Sequence, residues 1–174
     1  MIVCETERLR LRELTVDDAA FVMELVNEPA WLRFIGDRNV HSLDDARGYI
    51  ARGPLASYAK HGFGLWAVEL SATGEPIGMC GLVKRQTLEH FDLGFAFLSR
   101  HWGHGYARES AAAVVERARE LFHLPKLVAI TDLDNLPSQK VLTSVGFRYD
   151  KLIHLSESGE ELALYELDLT RPAP

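Results

Sequence analysis

The chain switches between two hydrophobic periods, and the switches mark its elements. In residues 8–14 (RLRLREL), Leu9 and Leu11 fall on one side and Arg8, Arg10 and Arg12 on the other, the pattern of a half-buried strand. Thr15, with Asp18 three residues on, is close to a capping box and predicts a helix start. Ala19, Val22, Met23 and Val26 form that helix's apolar stripe, and Pro29 is expected to end it. Ser42 with Asp45 repeats the signal for a second helix to about Arg52. Pro54 is expected to break it and leave a separate short helical turn over 54–61. Residues 64–70 and 76–83 read as strands of a hairpin, joined by a turn rich in Ser, Thr and Gly. A third strand, 91–98, carries Gly94 inside it, which marks a bulge or the close approach of a ligand. Helical spacing of Ala107, Ala111, Val114, Val115, Ala118, Leu121 and Phe122 predicts a helix over 107–122. Residues 126–132 read as a buried strand. Asn135 then caps a short helix with Pro137 in its first turn and Gly146 at its end. Residues 148–155 and 161–169 are two closing strands joined by SESGE, and the tail TRPAP is expected to fray.

The order β-α-α-β-β-β-α-β-α-β-β predicts an α+β fold of three layers. Its central sheet is mixed and mostly antiparallel, with helices on both faces. The early strands meander and should be antiparallel, whereas the strand–helix–strand unit 91–132 can set its two strands parallel.

With 174 residues the chain fits a single domain, 1–174, long enough to bury a core without staples. A net charge of −6 and a pI near 5.6 offer no support for nucleic-acid binding. A local basic group, Lys84, Arg85, Arg100 and Arg108, nevertheless lies near the Gly-rich stretch in sequence. Cys4 and Cys80 form no CxxC and no metal-ligand spacing is found, so a reduced, cytoplasmic protein without a metal is expected. The first residues lack the apolar core of a secretion signal, and no run approaches the ~18 apolar residues of a membrane span.

Candidate chemistry centres on RHWGHGYARES, residues 100–110, where a strand gives way to a helix. A helix N-terminus presents unpaired N–H groups and the positive end of the dipole, so phosphates bind there if the backbone can come close. Gly103 and Gly105 remove the β-carbons that would prevent this, and Tyr106 and Ala107 add further N–H groups. Neither a P-loop, which needs Gly-Lys-Ser/Thr, nor a dinucleotide fingerprint, which needs a third Gly near Glu109, is present. The loop alone is read equally well as a tight corner. Asn135 alone is read best as an N-cap. If strands 91–98 and 126–132 are parallel neighbours, however, both helices start from one sheet edge, and a ligand can lie between the strand ends.

Three stretches carry a resemblance to the GCN5-related N-acetyltransferase (GNAT) superfamily, and within it to the ribosomal-protein N-terminal acetyltransferases: TERLRLREL, WGHGYARESA and DNLPSQKVLTSVGF. They cover nearly the whole chain in the right order. The resemblance implies the acyl-CoA N-acyltransferase fold, with a splayed central strand pair, acetyl-CoA as cosubstrate, and a homodimer through the closing strands. It implies that Trp102, Gly103, His104, Gly105, Tyr106, Ala107 and Arg108 hold the pyrophosphate. Trp102 stands where the superfamily has Gln or Arg and where the subgroup commonly has Trp. Backbone groups of Phe95 to Phe97 would pair with the pantetheine arm and thioester, and Asn135 would contact the arm from the other side.

Transfer of an acetyl group from a thioester to an amine passes through a tetrahedral oxyanion, which a backbone N–H near Gly94–Phe97 can stabilise. The amine must be neutral, which favours an α-amine, titrating near ~8, over a lysine amine near ~10.4. Many superfamily members use a Glu and a Tyr at the positions held here by Ile130 and Leu142. Asp92, an acidic position common in the subgroup, is the expected water-mediated base, and Ser138 the expected partner of the thiolate. Unaided attack by a pre-oriented amine is the alternative. Glu89 and His90 are weaker candidates for the acceptor side; Trp31, Phe34 and Trp66 are read as acceptor walls or as core. The expected activity is acetyl transfer to a primary amine, a protein N-terminus or a small molecule such as an antibiotic, polyamine or amino acid; the alternative is a silent acetyl-CoA-binding module. The net negative charge would suit a cationic acceptor by steering.

Overall fold

A computed structural model describes residues 1–157 and 159–172. Ser158 in the closing turn, and residues 173–174 of the tail expected to fray, lie outside the described residues. Eight strands form one sheet in the order β1-β2-β3-β4-β5-β6-β8-β7. They are β1 (Ile2–Glu5), β2 (Leu9–Arg12), β3 (Leu65–Leu70), β4 (Pro76–Val83), β5 (Asp92–Phe97), β6 (Lys126–Asp132), β7 (Arg148–His154) and β8 (Glu161–Asp168). Every neighbouring pair is antiparallel except β5 and β6, which are parallel. The mixed sheet and its helices on both faces match the expected fold.

Helices are α1 (Ala19–Val26), α2 (Pro29–Phe34), α3 (Leu43–Ile50), α4 (Ala56–His61), α5 (Tyr106–Glu120) and α6 (Leu136–Ser144). The capping signals hold. Thr15 and Asp18 form a reciprocal capping box on a 3-10 turn that leads into α1, and the Ser42 hydroxyl accepts from the Asp45 N–H at 3.0 Å. Two prolines act differently from expectation. α1 closes before Pro29, but Pro29 also opens α2, where its missing N–H costs no helical hydrogen bond. Pro54 does not interrupt the chain's helical course: residues Ala51–Leu55 widen into a π-helical stretch between α3 and α4. A wider turn gives the pyrrolidine ring room beside the carbonyl it would otherwise strike. β1 was not anticipated: its residues, Ile-Val-Cys-Glu, do not alternate as those of β2 do.

Alternation along the strands sends side chains to two separate cores. Leu9, Leu11, Trp66, Val68 and Cys80 pack on one face with Val114 and Ala118 of α5. Ala67, Met79 and Leu98 pack on the other with Val22, Leu25, Ala46 and Ile50 of α1 and α3. The central strands are therefore buried on both faces, and β5 and β6 are held at fixed separations by what covers them.

Candidate active site

β5 and β6 are in register only at Asp92 and Val128, where the Val128 N–H donates to the Phe91 carbonyl at 3.0 Å. Beyond that point the ladder stops and the strands part. The Leu98 N–H donates the other way, to Ile77 of β4. Main-chain groups alternate along a strand, so those of Leu93, Phe95 and Phe97 face the gap toward β6. These are donors and acceptors that a sheet would normally satisfy. One is already engaged: the Phe97 carbonyl accepts from the Trp102 indole N–H at 2.8 Å.

The gap opens into a cleft of about 1350 Å³. Its wall includes Asp92, Phe95, Phe97, Trp102, Gly103, Gly105, Tyr106, Ala107, Arg108, Asn135 and Ser138. The structure thus gathers these sequence candidates from β5, the loop after it, α5 and α6. His104 is the exception and does not line the cleft: its carbonyl accepts from Arg8 Nη1 at 2.9 Å and its ring stacks on Tyr106.

Gly103 and Gly105 sit at φ +80° and +81°, the left-handed region that side chains disfavour. A β-carbon at Gly103 would meet nothing within 4 Å, and at Gly105 only the Arg8 guanidinium at 3.5 Å. The glycines are required by backbone conformation, and they keep open space over the loop. α5 has no side-chain cap, and its first helical bond is Glu109 N–H to the Gly105 carbonyl at 3.1 Å. The N–H groups of Tyr106, Ala107 and Arg108 therefore lack helical acceptors beside the cleft. An uncapped fifteen-residue helix, a loop with no β-carbon at Gly103 and Gly105, and the cation Arg108 are a donor set that fits a pyrophosphate.

The loop is pinned from behind by Thr6, Arg8 and Glu109, which lie within the stretches that carry the family resemblance but to which the sequence assigned no role. Glu109 accepts from Thr6 Oγ1 at 2.6 Å, from the Arg8 N–H at 2.9 Å and from Arg8 Nε at 2.8 Å. Arg8 also lies over the Tyr106 ring, 4.7 Å from its centroid. Burial would raise the Glu109 carboxyl, but the hydrogen bonds from Thr6 and Arg8 outweigh it and hold it below its ordinary value.

At the far end of β5, Asp92 is buried to 2% exposure. Its Oδ2 accepts from Arg85 Nε at 2.9 Å, while its Oδ1 has no partner among the described residues. Burial raises its carboxyl above the ordinary value, against the lowering effect of Arg85. A carboxylate so placed is a stronger base than one on the surface. Asn135 caps α6 through the Ser138 N–H at 3.3 Å. The Ser138 hydroxyl has no hydrogen bond among the described residues and is free toward the cleft. Ile130 and the buried Leu142 both line the cleft, and both are apolar. Trp31 and Phe34 wall the cleft, whereas Trp66 is core and Glu89 and His90 lie outside it. Of the basic residues grouped in sequence, Lys84, Arg85 and Arg108 line the cleft at different places and Arg100 does not. Arg100 pairs with Glu24 and Glu75, Lys84 and Arg85 lie by Asp92, and Arg108 lies on α5. No group of three or more His, Cys, Asp or Glu side chains converges among the described residues.

Residues 8–148 match the acetyltransferase (GNAT) domain. The chain is 30% identical over 165 residues to the protein YkkB of Bacillus subtilis, covering 92% of each. It is 27% identical over 152 residues to the N-acetyltransferase YoaA of the same organism, covering 87% of this chain and 85% of that one. A crystal structure of an acetyltransferase from Agrobacterium tumefaciens superposes with a TM-score of 0.81 at 28% identity, over 96% of this chain and 94% of that chain.

Proposed function

Because the chain belongs to the GNAT acetyltransferase family, we propose that it moves the acetyl group of acetyl-CoA to a primary amine, and that this is an α-amine, of a polypeptide N-terminus or of a small molecule. The observation that carries the reading is the parting of β5 from β6 after one register, beside the uncapped start of α5.

Bound acetyl-CoA supplies an activated acyl thioester. Amides of Gly103 to Arg108 would hold its pyrophosphate, and the main-chain groups of Phe95 and the N–H of Phe97, whose carbonyl is held by Trp102, would pair with its arm in place of a sheet neighbour. Asn135 faces the arm from α6, with its side-chain carbonyl committed to the cap. A backbone N–H near Gly94–Phe97 carries the charge that develops on the acyl oxygen. One N–C bond forms for one C–S bond broken; the amine loses a proton and the departing sulfur gains one. Asp92 takes the first proton through water, its basicity raised by burial. The Ser138 hydroxyl donates toward the sulfur. An α-amine is far more often neutral near pH 7 than a lysine amine and asks less of this base.

Thermal unfolding with acetyl-CoA tests donor binding. At a hundredfold excess over Kd, about 2.7 kcal/mol of linkage should raise Tm by roughly 5–10 °C. No shift sinks the proposal. Release of free thiol with peptides and small amines then separates an enzyme from a silent acetyl-CoA-binding module.

A further inference from the structure

We infer that the acceptor amine carries an anionic group, a carboxylate or a phosphate, and that Arg38, Arg52, Lys84 and Arg85 form its subsite. This rests on the acetyl-transfer reading above and specifies its acceptor.

The protein's net charge is −6, yet the cleft wall near Asp92 gathers Arg38, Arg52, Lys60, Lys84 and Arg85. Glu28, Asp45, Asp92 and Asp132 also line the cleft, and of these Asp45 and Asp92 are committed. Asp45 Oδ2 accepts from the His41 N–H at 3.0 Å, and Asp92 pairs with Arg85 at 2.9 Å. Of these cations only Arg85 is matched in return. Among the described residues Arg38, Arg52 and Lys60 make no ion pair, and the Lys84 ammonium donates only to the carbonyls of Arg85 and Leu88. Arg52 folds back over Gly48, where a β-carbon would stand 2.7 Å from its Nη1, so its place depends on a missing side chain. Tyr49 lines the same wall, and its hydroxyl has no hydrogen bond among the described residues.

These cations are not needed by the donor's phosphates. Asp92 opens β5 and Phe97 closes it, about 17 Å apart at ~3.4 Å per residue, and the pyrophosphate cradle lies beyond Phe97. A pantetheine arm entering from that loop brings the thioester toward Asp92, which leaves the cationic wall on the acceptor's side. Unpaired guanidinium groups repel a polyamine and attract a carboxylate or phosphate. The expectation of a cationic acceptor, drawn from net charge, does not survive the distribution of that charge.

The test compares matched acceptors with the full chain. Each amino acid is assayed beside its own carboxamide, and phosphoethanolamine beside ethanolamine, with spermidine as the cation. The anionic member of at least one pair should exceed its neutral partner about tenfold or more in kcat/KM. The first pairs report a carboxylate and the last a phosphate. Arg38→Gln and Arg52→Gln should each reduce that preference severalfold, with acetyl-CoA affinity unchanged by calorimetry. The inference is overturned if neutral or cationic amines are preferred, if no anionic amine is used, or if the variants slow every acceptor equally. Loss of acetyl-CoA binding by the unmodified protein would instead overturn the donor reading.

Discussion

Arg8 and Glu109, 101 positions apart in sequence, meet through three contacts, the backbone N–H to Oε1 at 2.9 Å, Nε–Oε2 at 2.8 Å and Nη2–Oε2 at 2.7 Å. This joins the β1–β2 turn to the first turn of α5. Arg8 also takes the His104 carbonyl on the side away from the cleft. One carboxylate therefore helps to hold the loop in the shape that leaves its amides turned inward.

Glu109→Gln should weaken that hold. Charge-assisted hydrogen bonds contribute about 1–3 kcal/mol, or a fall of ~2–4 °C in Tm for each kcal/mol. Acetyl-CoA affinity, by calorimetry, should fall severalfold. Because the Glu109 carboxyl is held below its ordinary 4.5, its contribution is complete above that value and is lost as pH falls through the depressed one. The variant's Tm should accordingly decline less than the wild type's on acidification.

Asp92→Asn should separate stability from turnover. The Asp92 carboxyl is held above its ordinary 3.8 by burial, so the folded state retains a proton that the unfolded state releases. Stability therefore falls as pH rises from 3.8 through the raised value, and the penalty is complete above it. The amide removes that penalty, and Tm should rise at neutral pH. kcat should fall by about 10²–10⁴ if Asp92 is the base, with acetyl-CoA affinity retained. Unchanged kcat would exclude Asp92 from proton transfer.

Gly105→Ala should strain the loop. A side chain at φ +81° costs about 1–2 kcal/mol. Relief of that strain turns the Tyr106 amide from the cleft. Acetyl-CoA affinity should drop about tenfold, measured by calorimetry, with the far-ultraviolet circular dichroism unchanged.

Cys80 should be silent. It is fully buried, and burial pushes its thiol up to about 12. The thiolate is the reactive form, so native protein at pH 8 should show no alkylation at Cys80 by mass spectrometry and full alkylation in denaturant. Labelling in the native state would show that this core opens.

Local signals determined much of this protein. The alternation of Leu9 and Leu11, the Thr15–Asp18 and Asn135–Ser138 caps, and the glycines at 103 and 105 each act within a few residues, so each was legible in order along the chain. The same holds for the cofactor-loop candidates, all but His104 of which reach the cleft wall. Tertiary structure decided what depends on distance. Glu109 looks like any first-turn acid until β2 brings Arg8 to it. Asp92 reads equally as an edge carboxylate until Val83 and Val128 flank it on both sides and bury it. The charge along the cleft wall was unreadable for the same reason. A sum over 174 residues carries no direction, and only the fold brings Arg38 of the α2–α3 loop, Arg52 of the π-helical stretch and Lys84 and Arg85 of the β4–β5 loop to one cleft.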